Sequence, residues 1–169
     1  MLCPACEFDN IPGTDLCDNC GLDLAGLDVG TWGVDPEDPV LSREISSVSL
    51  KQPIVLACND TVAAAVGAMC ESGEGCVFVE DAEGLVTGVF TERDLVLRVL
   101  ARGRDAGRVA LSEVMTPSPV PLRSSDPFAW ALHRMGVDGH RHIPIVEGRR
   151  IVGMLSVRSV LKELASIAG

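Results

Sequence analysis

Four cysteines near the start of the chain have the types and spacing for metal chemistry. Cys3-x-x-Cys6 is followed after ten residues by Cys17-x-x-Cys20. Each pair can bend into a tight turn that presents two thiolates. Two such pairs make the tetrahedral set that structural Zn(II) prefers, with iron as the main rival. Pro4, Gly13 and Gly21 fall at or just after the turns. The apolar residues of this head, Leu2, Phe8, Ile11, Leu16, Leu22 and Leu24, form almost no core. Bound metal must therefore supply its folding free energy. A disulfide framework needs an oxidising compartment, which nothing here supports, and a redox CxxC is usually single and opens a helix. No open coordination position is implied, so the metal is expected to be structural.

A second stretch, Gly88–Leu95, reads GVFTERDL. An apolar strand runs into Thr91, and Thr91–Leu100 reads as a helix. Thr91 suits the N-cap, and Asp94 three residues on suits the positive end of the helix dipole. The pattern is read in two ways: as a plain capping box, or as a strand-to-helix junction that holds an anion and a sugar hydroxyl. What separates the readings is that the stretch occurs twice.

These motifs sit in a chain of 169 residues, 47% hydrophobic and without tyrosine, whose core must rest on aliphatic residues and methionine. No apolar run approaches the roughly 18 residues of a membrane span. The N-terminal MLCPACEFDN has no basic or apolar signal region, which points to the cytoplasm. Residues 1–40 hold nine acidic residues and no Lys or Arg, whereas 41–169 carry fourteen basic against fifteen acidic. An acidic head repels phosphate backbones, so nucleic-acid binding through it is disfavoured. Residues 27–40, with Gly30, Gly33, Pro36 and Pro39, read as a linker in which Trp32 can dock on either neighbour. Cys58, Cys70 and Cys76, in apolar surroundings, read as small buried hydrophobes. Arg98, Arg102, Arg104 and Arg108, around the connection between the copies, read first as a solvated face and second as contributors to phosphate or partner contacts.

The body is an internal repeat. A shift of 66 places Pro53 on Pro119, Asp60 on Asp126, Met69 on Met135 and Val79 on Ile145; after one deletion Gly88 falls on Gly153 and Thr91 on Ser156. In each copy a short extended piece (54–56; 120–122) leads to an Asp N-cap and an amphipathic helix (61–71; 127–137). Two strands follow (76–80 and 85–90; 142–146 and 151–155), and a second helix closes the copy (92–101; 157–167). One copy is too small to bury its own surfaces. The fold class is therefore α+β: two βαββα repeats related by a pseudo-twofold axis, behind a small metal ribbon. The divisions are 1–26 ribbon, 27–40 linker, 41–103 first repeat and 104–169 second repeat.

Residues 41–168 resemble a tandem pair of cystathionine-beta-synthase (CBS) domains, a Bateman module. GVFTERDL, SEVMTPSPVPL and HRHIPIVEGRRIVGML carry the likeness, and CPACEFDNIPGTDLCDNCGLDL is similar to the zinc ribbons of prokaryotic proteins. The resemblance implies an adenosyl ligand, such as AMP, ADP, ATP or S-adenosylmethionine, in a cleft between the repeats. Asp94 would hold the ribose hydroxyls and Thr91 would contact phosphate. Val120 would lie beside the adenine, and Arg141 and His142 of the stretch running through Ile143 would meet the phosphates. An ionised carboxylate suits a vicinal diol, and an Arg fork suits phosphate oxygens. The second copy reads GMLSVRSV, with Ser159 where the acid should be, and Gly75 stands where Arg141 stands in its twin. One competent site is expected at Asp94, and a weak or empty one at Ser156. Because the second copy starts its helix without an acid, the acid is not required by the fold, which favours a ligand role for Asp94.

The resemblance thus implies a regulatory binding module, a homodimer, and a protein partner addressed through the ribbon. The alternatives are a non-binding scaffold or adaptor and a nucleic-acid-linked regulator. Enzymatic function is not expected: no nucleophile–base constellation is visible, and the roughly 250 residues of a catalytic barrel are missing.

Overall fold

The computed structural model describes residues 2, 3, 6, 8–11, 14–22, 24 and 39–168. Trp32 and nearly all of the expected linker, together with Pro4 and Gly13, lie outside the described residues. The body is α+β with two sheets. The first holds β1 (Val55–Ala57), β2 (Cys76–Glu80), β3 (Val86–Thr91) and β4 (Thr116–Pro117) in that order; β1 runs parallel to β2, and the others are antiparallel. The second holds β5 (Leu122–Arg123), β6 (His142–Glu147) and β7 (Arg150–Ser156), with β5 parallel to β6 and β7 antiparallel. Helices α1 (Val62–Ser72) and α3 (Phe128–Gly136) link the first two strands of each copy, and α4 (Val157–Ala168) closes the second.

The expected Asp caps are corrected. Thr61 caps α1 by accepting from Ala64 N at 3.2 Å, and Pro127 precedes α3 with no side-chain cap. Asp60 and Asp126 instead close the preceding turns: Asp60 Oδ2 accepts from Ala57 N at 2.8 Å and Asp126 Oδ2 from Arg123 N at 2.7 Å. The helix expected after Thr91 is divided into one α-turn, α2 (Glu92–Asp94), a wide π-turn (Leu95–Val99) and a 3-10 turn (Leu100–Arg102).

Two compact units form, residues 1–52 with 120–169, and residues 53–119. A repeat of the sequence is therefore not a compact unit in space. Residues 41–52 lead the first copy yet pack with the second, and 104–119 lead the second yet pack with the first. The two exchanges match closely. Ile45 opens a 3-10 turn, is fully buried and donates from its N to Asp126 O at 2.9 Å; Leu111 does the same to Asp60 O at 2.9 Å. Lys51 then bridges Met154 of β7, as Thr116 and Pro117 of β4 pair with β3. Gly153 and Gly88 admit these segments. A Cβ on Gly153 would lie 2.8 Å from Leu50 Cδ1, and one on Gly88 would lie 2.2 Å from Met115 Sδ.

Each unit has its own core. In the 53–119 unit, Val62, Val77, Val79, Phe90, Val99 and Leu111 pack together. In the other, Phe128, Leu122, Ile143, Ile145 and Leu155 share one cluster with Cys3, Cys17 and Leu24. The ribbon is thus built into the core of the second sheet's unit. Of the three cysteines expected to be buried, Cys76 is, Cys58 is half-buried and Cys70 is exposed.

Candidate functional site

Strand β3 ends at Thr91, paired with Cys76 of β2, and delivers Asp94 into a buried position (7% exposed). The capping box is complete. Asp94 N donates to Thr91 Oγ1 at 3.4 Å, while Asp94 Oδ2 accepts from Thr91 N at 3.0 Å and from Thr91 Oγ1 at 2.7 Å. The other oxygen, Oδ1, accepts from Thr116 Oγ1 at 3.3 Å and pairs with Arg98 Nε at 3.3 Å. Arg98 Nη1 also donates to the carbonyls of Val114 at 2.9 Å and Met115 at 2.5 Å. Arg98 therefore does not belong to a solvated face, as its sequence context suggested. Arg104 and Arg108 do sit in surface pairs, with Glu113 and Asp105.

The second copy builds the same junction from hydroxyls. Ser159 Oγ accepts from Ser156 N at 2.8 Å, and Ser159 N donates to Ser156 Oγ at 3.2 Å. Ser159 Oγ also donates to Ser156 O at 2.8 Å. The acid is dispensable for the cap because a serine does the same work. A carboxylate at 94 adds a buried negative charge with two further acceptor positions, which a cap does not need.

The remaining expected residues belong to the other compact unit. His142 opens β6 opposite Ser156, and Ile143 is buried in the core opposite Leu155. Val120 is half-buried just before β5. Exposed Arg141 accepts at its carbonyl from Val157 N at 3.1 Å. It lines an open depression of about 650 Å³ with Val157, Arg158, Leu161, Lys162 and Ala165, so three cations surround an apolar floor. His140 is held below the ordinary histidine value, chiefly by burial and also by the Arg134 charge, against the pull of Asp138.

The four head cysteines converge, with all their Sγ atoms within 4.8 Å of one another. Cys3 and Cys20 lie 3.6 Å apart and Cys6 and Cys17 3.5 Å. A tetrahedron of thiolates about 2.3 Å from a metal has edges of about 3.8 Å, so the set can hold one. Buried Asn10 ties it together: Nδ2 donates to Cys17 Sγ at 3.5 Å and Phe8 O at 3.0 Å, and Oδ1 accepts from Asp18 N at 2.9 Å. Burial opposes ionisation of Cys17, but N–H groups of Cys20 and Asn19, the Asn10 amide and the Cys6 thiol lower it to about 6. Of the head's expected apolar residues only Leu24 is buried; Leu22 is half-buried and Leu2, Phe8, Ile11 and Leu16 are exposed. Arg123 Nη2 donates to Cys3 O at 2.9 Å, fastening the first knuckle to β5.

Sequence reasoning missed three contributors. Arg98 was legible in principle, since it stands four residues after Asp94 on a helix. Thr116 and Asn10 gave no local signal, because their partners are brought to them only by the fold.

Two interleaved βαββα units, each with a hydroxyl-capped strand-to-helix junction, define the class: a tandem α+β repeat pair with an N-terminal four-cysteine cluster compatible with a zinc ribbon. The CBS domain family matches residues 45–101 and again 111–166, and the chain belongs to that family as a tandem pair. A relative from Schizosaccharomyces pombe, the meiotically up-regulated gene 70 protein, is 42% identical over 110 residues, which cover 64% of this chain and 15% of that one. The chain spans less than a quarter of the first curated relatives it matches. Among solved structures, the Pyrobaculum aerophilum CBS domain protein PAE2072, complexed with AMP, superposes with a TM-score of 0.64 at 23% identity, over 73% of this chain and 99% of that one. The CBS domain pair of protein MJ0100, in complex with 5′-methylthioadenosine and S-adenosyl-L-methionine, gives 0.66 at 18%, over 74% and 98%. At these identities the likeness establishes the fold. Among the described residues no helix is long and apolar enough to cross a membrane.

Proposed function

We propose that the chain is a regulatory ligand-binding module rather than an enzyme, and that it takes an adenosyl ligand (AMP, ADP, ATP or S-adenosylmethionine) at Asp94. The observation that carries this reading is the buried Asp94 carboxylate. Its counterpart Ser159 makes the same cap without it, so the acid serves something other than helix initiation. Thr91 stands beside it for the phosphate end, and Val120, Arg141, His142 and Ile143 are assigned to the adenine and phosphates. The complexes of PAE2072 and MJ0100 support the ligand class.

The four thiolates are assigned structural Zn(II), with iron as the alternative, because the ribbon has one buried leucine of its own and needs a cross-link to fold. The module is assigned to the cytoplasm as a homodimer that signals to a protein partner. The test is calorimetric titration of metal-loaded protein with AMP, ATP and S-adenosylmethionine, beside Asp94→Asn. The asparagine oxygen keeps an acceptor for the Thr91 cap while removing the charge. Saturable binding near one equivalent per chain, lost in the variant, upholds the reading. Absence of binding of all three ligands by wild type and by Thr116→Val overturns it in favour of a non-binding scaffold, and binding by Asp94→Asn equal to that of wild type overturns the assignment to Asp94.

A further inference from the structure

An ionised carboxylate offers about four lone-pair positions, and those of Asp94 already meet four donors. The two on Oδ2 come from Thr91, which caps the helix. The two on Oδ1 come from Thr116 Oγ1 and Arg98 Nε. Both Oδ1 donors are tied to the same short segment. Thr116 begins β4, and the Arg98 guanidinium is anchored on the carbonyls of Val114 and Met115. That segment is the lead-in to the second copy; Val114 and Met115 pack in the core of its unit, whereas the strand that follows them is short. Strand β4 has two exposed residues, paired with Gly88 and Val89. The second copy lacks the arrangement: Ser159 replaces the acid, and Glu163, at the position of Arg98, pairs with Arg43 at 3.1 Å.

From this we infer that Arg98 and Thr116 form a latch on Asp94, which a ligand carrying a vicinal diol must open. The inference rests on the adenosyl reading above. A ribose cannot take Oδ2 without uncapping the helix, so its two hydroxyls donate to Oδ1 in place of Thr116 and Arg98. Displacement releases Thr116 and Pro117 from the helix that follows β3, while Val114 and Met115 stay anchored in the core. Ligand occupancy is thereby written onto the connector between the copies. By linkage, whatever loosens β4 tightens binding to the same degree. The latch also sets specificity: two adjacent hydroxyls replace both donors, whereas a deoxyribose leaves one in competition.

The experiment is titration of metal-loaded wild type, Thr116→Val, Arg98→Gln and Asp94→Asn with AMP, ATP, S-adenosylmethionine and 2′-deoxy-AMP, with amide hydrogen exchange followed in wild type. Thr116→Val and Arg98→Gln are expected to bind the ligand about three- to tenfold more tightly, the scale of one net hydrogen bond. Thr116→Val should narrow the penalty for 2′-deoxy-AMP, and saturating ligand should speed exchange at residues 116–118. Binding by Thr116→Val where wild type shows none supports the latch equally. Wild-type binding that both variants leave unchanged or weaken refutes the latch while the adenosyl reading stands. If neither wild type nor any variant binds, both fall. Should Arg98→Gln melt early, Thr116→Val decides, since it keeps its shape and loses only the hydroxyl.

Discussion

The exchange of leading segments between the copies depends on a missing methyl group, and Gly153→Ala puts it back. The new Cβ would lie 2.8 Å from Leu50 Cδ1, 3.0 Å from Leu50 Cβ and 3.4 Å from Leu50 Cγ. Leu50 cannot simply retreat. The next residue is held by two backbone bonds, Lys51 N to Met154 O at 3.1 Å and Met154 N to Lys51 O at 2.9 Å. Leu50 itself packs on the cluster around Phe128. Overpacking of this kind costs about 1–3 kcal/mol. Against that, alanine in a strand regains roughly 0.5–1 kcal/mol of backbone entropy. The clash wins, and a net loss of about 0.5–2 kcal/mol is expected in urea unfolding followed through Trp130, which packs on the same cluster. Leu50→Ala should cost less in the Gly153→Ala background than alone, because it removes the clashing atoms. The pseudo-equivalent Gly88→Ala meets a shorter contact, 2.2 Å to Met115 Sδ, yet should cost less, since an unbranched methionine can swing aside. A Gly153→Ala protein as stable as wild type, or no coupling with Leu50, would refute the account.

Other consequences are testable alongside it. Asn10→Ala strips a donor from Cys17 and leaves Asp18 N without its acceptor, so metal affinity should fall about 10- to 100-fold in a competition titration. Because Cys3, Cys17 and Leu24 share the Phe128 cluster, chelation should lower the melting temperature of the unit containing β5–β7 while sparing that of 53–119, read by calorimetry. Burial lifts the Asp126 carboxyl above its ordinary value against the N–H and charge of Arg123. The folded state then holds that proton longer than the unfolded one. Stability from this group is accordingly lost as pH rises from about 4 through the raised value. Asp126→Asn keeps an oxygen for Arg123 N and should flatten that part of the profile of urea midpoints against pH.

Much of this architecture was legible because the copies repeat. Cys76–Val79 is an uninterrupted apolar run, and the strand Cys76–Glu80 falls on the residues expected. Helices α1 and α3 lie within a residue of expectation at each end. The caps were misassigned because Asp60 and Asp126 precede the helices by one residue more than a cap does, and serve the turn instead. The π-turn after Asp94 and the two-residue β4 leave no pattern in a sequence. Nor does self-similarity say which copy a leading segment packs with: Ile45 and Leu111 match each other whichever unit buries them. At the site, Thr91 and Asp94 were evident as a pair, whereas Thr116 reaches Asp94 only through the pairing of β4 with β3.

The interleaving also orders events on the ribosome, where domains fold as their sequences are completed. The 53–119 unit is whole once its last strand has emerged, although it is the middle of the chain. The ribbon, synthesised before that unit, stays unfinished until after it: Phe128, Ile143 and Leu155, which share a cluster with Cys3, Cys17 and Leu24, follow residue 119. Until those residues emerge, the four thiols stand on a nascent chain without their shelter. The interval in which they can capture metal, or be oxidised instead, is set by the length of chain still to come.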